Sequence, residues 1–134
     1  LSAAAGACAL GIIADGDACE RANAFGARLR TRLNEVFRAA GVAWAAYGSY
    51  STFHIFMNPE GRKLDPEAFD PLALSHAELK RKLRLALLTA GVDIMGSGGG
   101  VISATHGDRE LEQTAAAFAE AVDRVGREEA LPAL

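Results

Sequence analysis

The sequence predicts an α+β domain: a small, mainly antiparallel sheet with helices packed on one face. Three observations carry that expectation. Amphipathic helical stretches stand in both halves of the chain, two β-rich runs sit side by side near the middle, and polar or glycine-rich turns separate the elements. At 134 residues, half of them hydrophobic, the chain is long enough to bury one real core.

The elements follow in order. Leu1-Ser-Ala-Ala-Ala-Gly-Ala-Cys-Ala-Leu10 begins a helix that runs to about Ile13. Its small residues permit close packing against another element. It lacks the charged start and the cleavage site of a signal peptide, and it reads as a helix entered from the middle. Residues 1–16 are therefore expected to connect this domain, 17–134, to something larger. Asp15-Gly16-Asp17 is a turn whose acids favour the next helix start. From Asp17 to Ala40, residues Ala22, Phe25, Leu29, Leu33, Val36, Phe37 and Ala40 recur at steps of three and four, and Gly41 ends the helix.

Two strands are expected next, Val42 to Tyr47 and Thr52 to Met57, split by Gly48-Ser-Tyr-Ser51. The second is apolar on both faces except at His54, as a central, covered strand would be. Asn58 to Lys63 is a polar turn, Asp65-Pro66 opens a short helical turn, and the long run to Leu74 suits a surface excursion. Ser75-His-Ala-Glu78 has the form of a capping box. The helix behind it puts Leu79, Leu83, Ala86, Leu87 and Ala90 on one face and stops at Gly91. Short strands are then expected at Val92–Met95 and Val101–Ala104, joined by the glycine loop. A last helix carries Leu111, Ala115, Phe118, Val122 and Val125, with Thr105 and Asp108 as its cap.

Composition excludes several function classes. A net charge of −3 offers nothing to nucleic acid, and no apolar run reaches the roughly 18 residues of a membrane helix. Cys8 and Cys19, without CxxC spacing, read as free thiols of a cytoplasmic protein. No carboxylate or histidine cluster has metal-ligand spacing.

Chemical candidates are few. The loop Gly96-Ser-Gly-Gly-Gly100 fails as a dinucleotide fingerprint, because the sixth position is Val101, and as a phosphate loop, because no Gly-Lys-Ser follows. A strand rather than a helix is expected behind it, so it offers no helix N-terminus to an anion. Its bland reading is an inter-strand loop with positive-φ glycines. His54 inside an apolar strand reads as a core histidine, and His76 as a solvated one. Ser103, His106 and Asp108 suggest a hydrolytic triad, but neighbours in sequence do not readily reach that geometry. Lys80-Arg-Lys-Leu-Arg84 reads as a solvated basic face. No residue presents itself as catalytic, cofactor-binding or metal-ligating.

The chain nevertheless resembles a known family. Leu1 to Leu10 is similar to an alanine-rich helix of the class III pyridoxal-phosphate aminotransferases, and Arg21-Ala-Asn-Ala-Phe-Gly-Ala-Arg-Leu-Arg-Thr-Arg-Leu33 to that family's next helix. Gly48-Ser-Tyr-Ser-Thr-Phe-His-Ile-Phe56 resembles its glycine-serine turn and the strand after it. Gly91-Val-Asp-Ile-Met95 with Val101-Ile-Ser-Ala-Thr-His106 resembles its penultimate strand pair, and Asp108 to Ala121 its closing helix. The nearest branch looks like glutamate-1-semialdehyde aminomutase.

The resemblance implies the small C-terminal domain of a fold-type I enzyme. Pyridoxal phosphate and its lysine would belong to a large domain outside this chain, and a second subunit and a small-molecule amino donor and acceptor would be the partners. Ser49, Ser97, Gly98 and Gly99 are the candidates to approach the substrate pocket. Many of these enzymes hold a substrate carboxylate with an arginine near the last strand; here that run is Ser103-Ala-Thr-His106, and Arg109 comes too late. Without its large domain the chain would expose the first helix and self-associate through Leu1 to Ile13. The alternative function is a stand-alone, non-catalytic binding or oligomerisation module; a small hydrolase using Ser103 and His106 stands third.

Overall fold

Burial of the predicted apolar stripes organises a computed structural model that describes residues 2–58, 76–131 and 133. Helix α1 spans Ser2–Asp15 and α2 spans Ala18–Ala39. In α2, Ala22, Phe25, Leu29, Leu33, Val36 and Phe37 are buried as expected, while Ala40 lies beyond the stripe and is exposed. Gly41 turns the chain at φ +69, where a side chain would be strained.

Strands β1 (Ala45–Tyr47) and β2 (Thr52–Phe56) pair antiparallel, with Ala45 opposite Phe56 and Tyr47 opposite His54. Helix α3 covers Ala77–Thr89, β3 covers Gly99–Val101 and α4 covers Asp108–Glu128. The sheet order is β1-β2-β3, antiparallel throughout, so β2 is the central strand its composition predicts. Alternation along the strands sends Ala46, Phe53, Ile55 and Met57 into the core. His54 points to the other face, half-buried, with its ring 5.5 Å from that of Tyr47.

Three helices meet on the inner side. Phe118 of α4 is fully buried and meets Phe37 of α2 edge-on at 6.0 Å and Phe53 of β2 at 6.5 Å. Leu83 and Leu87, also fully buried, seat α3 in the same core. Rings at these angles add about 0.5–1.5 kcal/mol per pair beyond burial.

Several sequence expectations give way here. Val92–Met95 is no strand: Met95 only bridges to Gly99 across its own turn. The next strand is Gly99–Val101 instead of Val101–Ala104, so it begins inside the glycines. The reason is steric. Gly99 and Gly100 pair with His54 and Phe53 on β2. A Cβ on Gly99 would collide with the Phe53 carbonyl oxygen and stand 2.6 Å from His54 Nδ1; one on Gly100 would stand 2.7 Å from Cε1 of the Phe53 ring. Cross-strand aromatic rings fill the space that these edge glycines leave open. Of the loop glycines only Gly98 has the positive φ expected, at +85.

Both predicted helix caps also differ. Gly107, not Thr105 or Asp108, holds the cap position of α4, and its N–H donates to Glu110 Oε2 at 2.9 Å. Asp108 is drawn away by Arg28 at 2.6 Å, across to α2. For α3 the cap position is His76, and Glu78 is engaged by Arg81 at 2.6 Å. Ser75 and the stretch from Pro59 to Leu74, with the expected polar turn and Asp65-Pro66 step, lie outside the described residues.

The glycine packing has a direct test. Gly99→Ala is expected to destabilise the chain by about 1–3 kcal/mol through overpacking. Gly96→Ala, with nothing within 4 Å of the new Cβ, should stay within about 0.5 kcal/mol. Urea midpoints of the two variants check this.

Candidate functional site

The β1–β2 turn is held rigidly. Gly48 has φ +134 and sits so close that a Cβ would come within 2.9 Å of the Thr52 carbonyl oxygen. The Ser49 carbonyl accepts from Thr52 N at 3.1 Å and Thr52 Oγ1 at 2.7 Å. Arg30 reaches over from α2 and donates to the carbonyls of Tyr50 at 3.0 Å and Thr52 at 2.7 Å. Gly26 of α2 abuts the Tyr50 carbonyl with no room for a side chain. Tyr50 is thereby fixed at φ +51, an unfavourable conformation for a tyrosine, and the residue is 75% exposed. Ser49 stands exposed beside it.

The second candidate segment is the Met95–Gly99 turn. Gly98 N donates to the Met95 carbonyl at 2.9 Å, and Met95 N to the Gly99 carbonyl at 2.8 Å. The turn is stitched to β2 by Ile55 N donating to the Gly98 carbonyl at 2.8 Å. Ser97 is exposed, whereas Gly98 and Gly99 are buried.

The two segments attach at opposite ends of the β2–β3 ladder. Ile102 N bonds the Ser51 carbonyl at one end, and Ile55 N the Gly98 carbonyl at the other. Four residues of strand separate these points, roughly 13 Å. Ser97, Gly98 and Gly99 are thus brought together, and Ser49 is not brought to them within this domain.

Between the two ends lies a cleft of about 560 Å³. Phe25, Leu29, Phe53 and Ile102 give it apolar walls, and Arg84, Asp93, Glu110 and His106 its polar ones. The charges are internally satisfied. Arg84 Nε holds Asp93 at 3.0 Å, which keeps that carboxyl below its usual range. Glu110, accepting from Gly107 N and its own backbone N–H and paired with Arg109, is held low as well. Sequence reasoning missed this cleft because its lining comes from four separated segments.

No hydrolytic triad forms. His106 Nδ1 accepts from the Ser103 N–H at 3.4 Å, and the Ser103 hydroxyl bonds Thr105 at 3.0 Å. Asp108 belongs to Arg28, so nothing orients His106 as a base toward Ser103. Among the described residues no group of three or more His, Cys, Asp or Glu side chains is placed to hold a metal.

A Schiff-base lysine needs an amine that can become neutral. Lys82 does not fit: it pairs with Glu129 and Glu128, and these carboxylates hold its ammonium above the usual range. Lys80 belongs to α3, with its stem against Gly98, and Lys63 lies outside the described residues. Lys82 therefore does not suit covalent attachment of pyridoxal phosphate.

Comparison with solved structures supplies the context. A transaminase with PLP bound is 29% identical and superposes with a TM-score of 0.66, over 82% of this chain and 24% of its own. An omega-transaminase from Sphaerobacter thermophilus is 28% identical, TM-score 0.69, over 80% and 24%. A beta-phenylalanine aminotransferase from Variovorax paradoxus is 25% identical, TM-score 0.68, over 88% and 25%. The fold is that of a transaminase small domain. The chain spans about a quarter of the length of these transaminases. No protein-family model and no curated protein matches the sequence. No helix among the described residues is long and apolar enough to cross a membrane.

The electrostatics predict an acid limb to stability. Glu110 titrates lower folded than unfolded, so its contribution is complete above the ordinary carboxylate pKa of about 4.3 and fades as pH falls through its folded value. Glu110→Ala should melt lower than the parent chain at pH 7, and the gap should close toward pH 3. Thermal scans across that range check it.

Proposed function

We propose that this chain is the small C-terminal domain, 17–134, with its connecting helix, 1–16, of a pyridoxal-phosphate-dependent class III aminotransferase. The whole protein would move an amino group between a small-molecule donor and an acceptor. The observation that carries the reading is likeness at 28–29% identity to transaminases over four fifths of this chain but only a quarter of theirs. The poor fit of Lys82 to the cofactor agrees with a division of labour, in which cofactor and lysine lie in a large domain. Within the family, the glutamate-1-semialdehyde aminomutase-like branch is favoured by the Ser103–His106 run, which has no arginine, and by Arg109, which is exposed and paired with Glu110.

In this reading the small domain closes one side of the substrate pocket with Ser49 on its rigid turn and with the Ser97–Gly99 segment. The large domain or a second subunit covers α1, whose Leu10, Ile12 and Ile13 are 68%, 63% and 49% exposed. Free Cys8 and Cys19 agree with a cytoplasmic protein.

The deciding experiment is to express the full reading frame that contains this chain and assay it for pyridoxal-phosphate binding and amino transfer from an amine to a keto acid. Transfer supports the reading. A frame without a lysine-bearing large domain, and a product inert toward every amine, would put a stand-alone binding module in its place. In the active enzyme Ser49→Ala should raise KM or lower kcat; unchanged kinetics would remove Ser49 from the pocket.

The chain alone is expected to self-associate through α1, because a helix apolar on all sides seeks cover. Sedimentation velocity should show concentration-dependent association that Ile12→Glu with Ile13→Glu abolishes. A monomer at every concentration would show that α1 is no such surface.

A further inference from the structure

The basic run of α3 holds four cations, and three of them have carboxylate partners. Arg81 takes Glu78, Lys82 takes Glu129 and Glu128, and Arg84 takes Asp93. Lys80 has none among the described residues. Its stem lies across the Met95–Gly99 turn instead: Cγ and Cδ are 3.5 Å, and Cε 3.6 Å, from where a Cβ on Gly98 would stand. Lys80 is partly buried there, and the glycine beneath it, at φ +85, has a backbone that disfavours any side chain. The neighbouring Ser97 is exposed, and its hydroxyl has no partner among the described residues.

We propose that Lys80 and Ser97 form a carboxylate-binding site for the substrate of amino transfer. An ammonium carried from α3 across Gly98 and a hydroxyl on the adjacent Ser97 lack an acceptor among the described residues and together suit one negative charge. The stem laid on Gly98 restricts the lysine beforehand, so less freedom is lost when the anion arrives. Phosphate is typically cradled by several free backbone N–H groups, and two of those in this turn, on Met95 and Gly98, are already given to the Gly99 and Met95 carbonyls. The ligand's identity as an amino-transfer substrate rests on the aminotransferase reading; the site itself does not.

The folded chain provides the test. Titration with succinate should move the amide resonances of Ser97, Gly98 and Gly99 saturably, and n-butylamine should leave them in place. Lys80→Met keeps the stem over Gly98 and should weaken succinate binding about tenfold or more, the weight of one charge-assisted hydrogen bond, with an unchanged melting temperature. Lys80→Arg should retain binding. No saturable movement with succinate overturns the site, and tighter binding of inorganic phosphate overturns its assignment to a carboxylate. In the full-length protein Lys80→Met should raise KM for a dicarboxylic keto acid about tenfold with kcat kept. If the full-length protein transfers no amino group while the chain still binds succinate, the amino-transfer ligand is overturned and the carboxylate site stands.

Discussion

The edge-on meeting of Phe37, Phe53 and Phe118 is the contact on which the rest of the domain depends. Each ring comes from a different element, and Phe37 and Phe118 are excluded from water completely. Phe37 also meets Trp44 at 5.7 Å, which ties the start of β1 into the same cluster. Trp44 shows that packing outweighs polar satisfaction here, because its buried indole N–H finds no acceptor among the described residues. Such an orphan donor costs about 1–3 kcal/mol, within the about 3–5 kcal/mol that removal of a core aromatic typically costs. With this junction set, α2, α4 and the sheet have one mutual arrangement.

That arrangement leaves β3 little room. Because Phe53 must turn its ring inward and His54 outward, the strand beside them carries glycine at both facing positions. The same crowding recurs at the other end of β2, where Gly26 lets α2 press on the Tyr50 carbonyl while Arg30 ties down the turn. Both turns of functional interest are therefore fixed by core packing. A turn so fixed can present side chains to a neighbouring domain without further ordering, which lowers the entropic cost of forming a joint site.

Around the core, charge is mostly self-neutralised. Arg28 with Asp108 and Arg32 with Glu112 clamp α2 to α4 at the surface, and α3 is bordered by pairs from Lys82 to Glu128 of α4 and from Arg84 to Asp93. Exposed pairs of this kind contribute little stability each, so their value lies in register. Against such a background Lys80, which has no carboxylate partner among the described residues and lays its stem on a glycine turn, stands out chemically. The cleft at the centre, by contrast, has its charges already paired, and it reads as a seam between elements.

The sequence by itself determined the helices, the central strand and the overall class. Leu29, Leu33 and Phe37, or Leu111, Ala115 and Phe118, recur at a period only a helix satisfies, and a covered strand needs apolar residues on both faces as Thr52 to Met57 provides. These are local signals, complete within one element. Only the tertiary structure decided the rest. That Gly99 and Gly100 are a strand depends on Phe53 and His54, some 46 residues earlier; that Asp108 is no cap depends on Arg28; that Lys80 differs from its three neighbours depends on where the chain brings Gly98. Periodicity records which face of an element is buried, whereas steric room and charge partners are properties of the pair, and the pair exists only once the chain has folded.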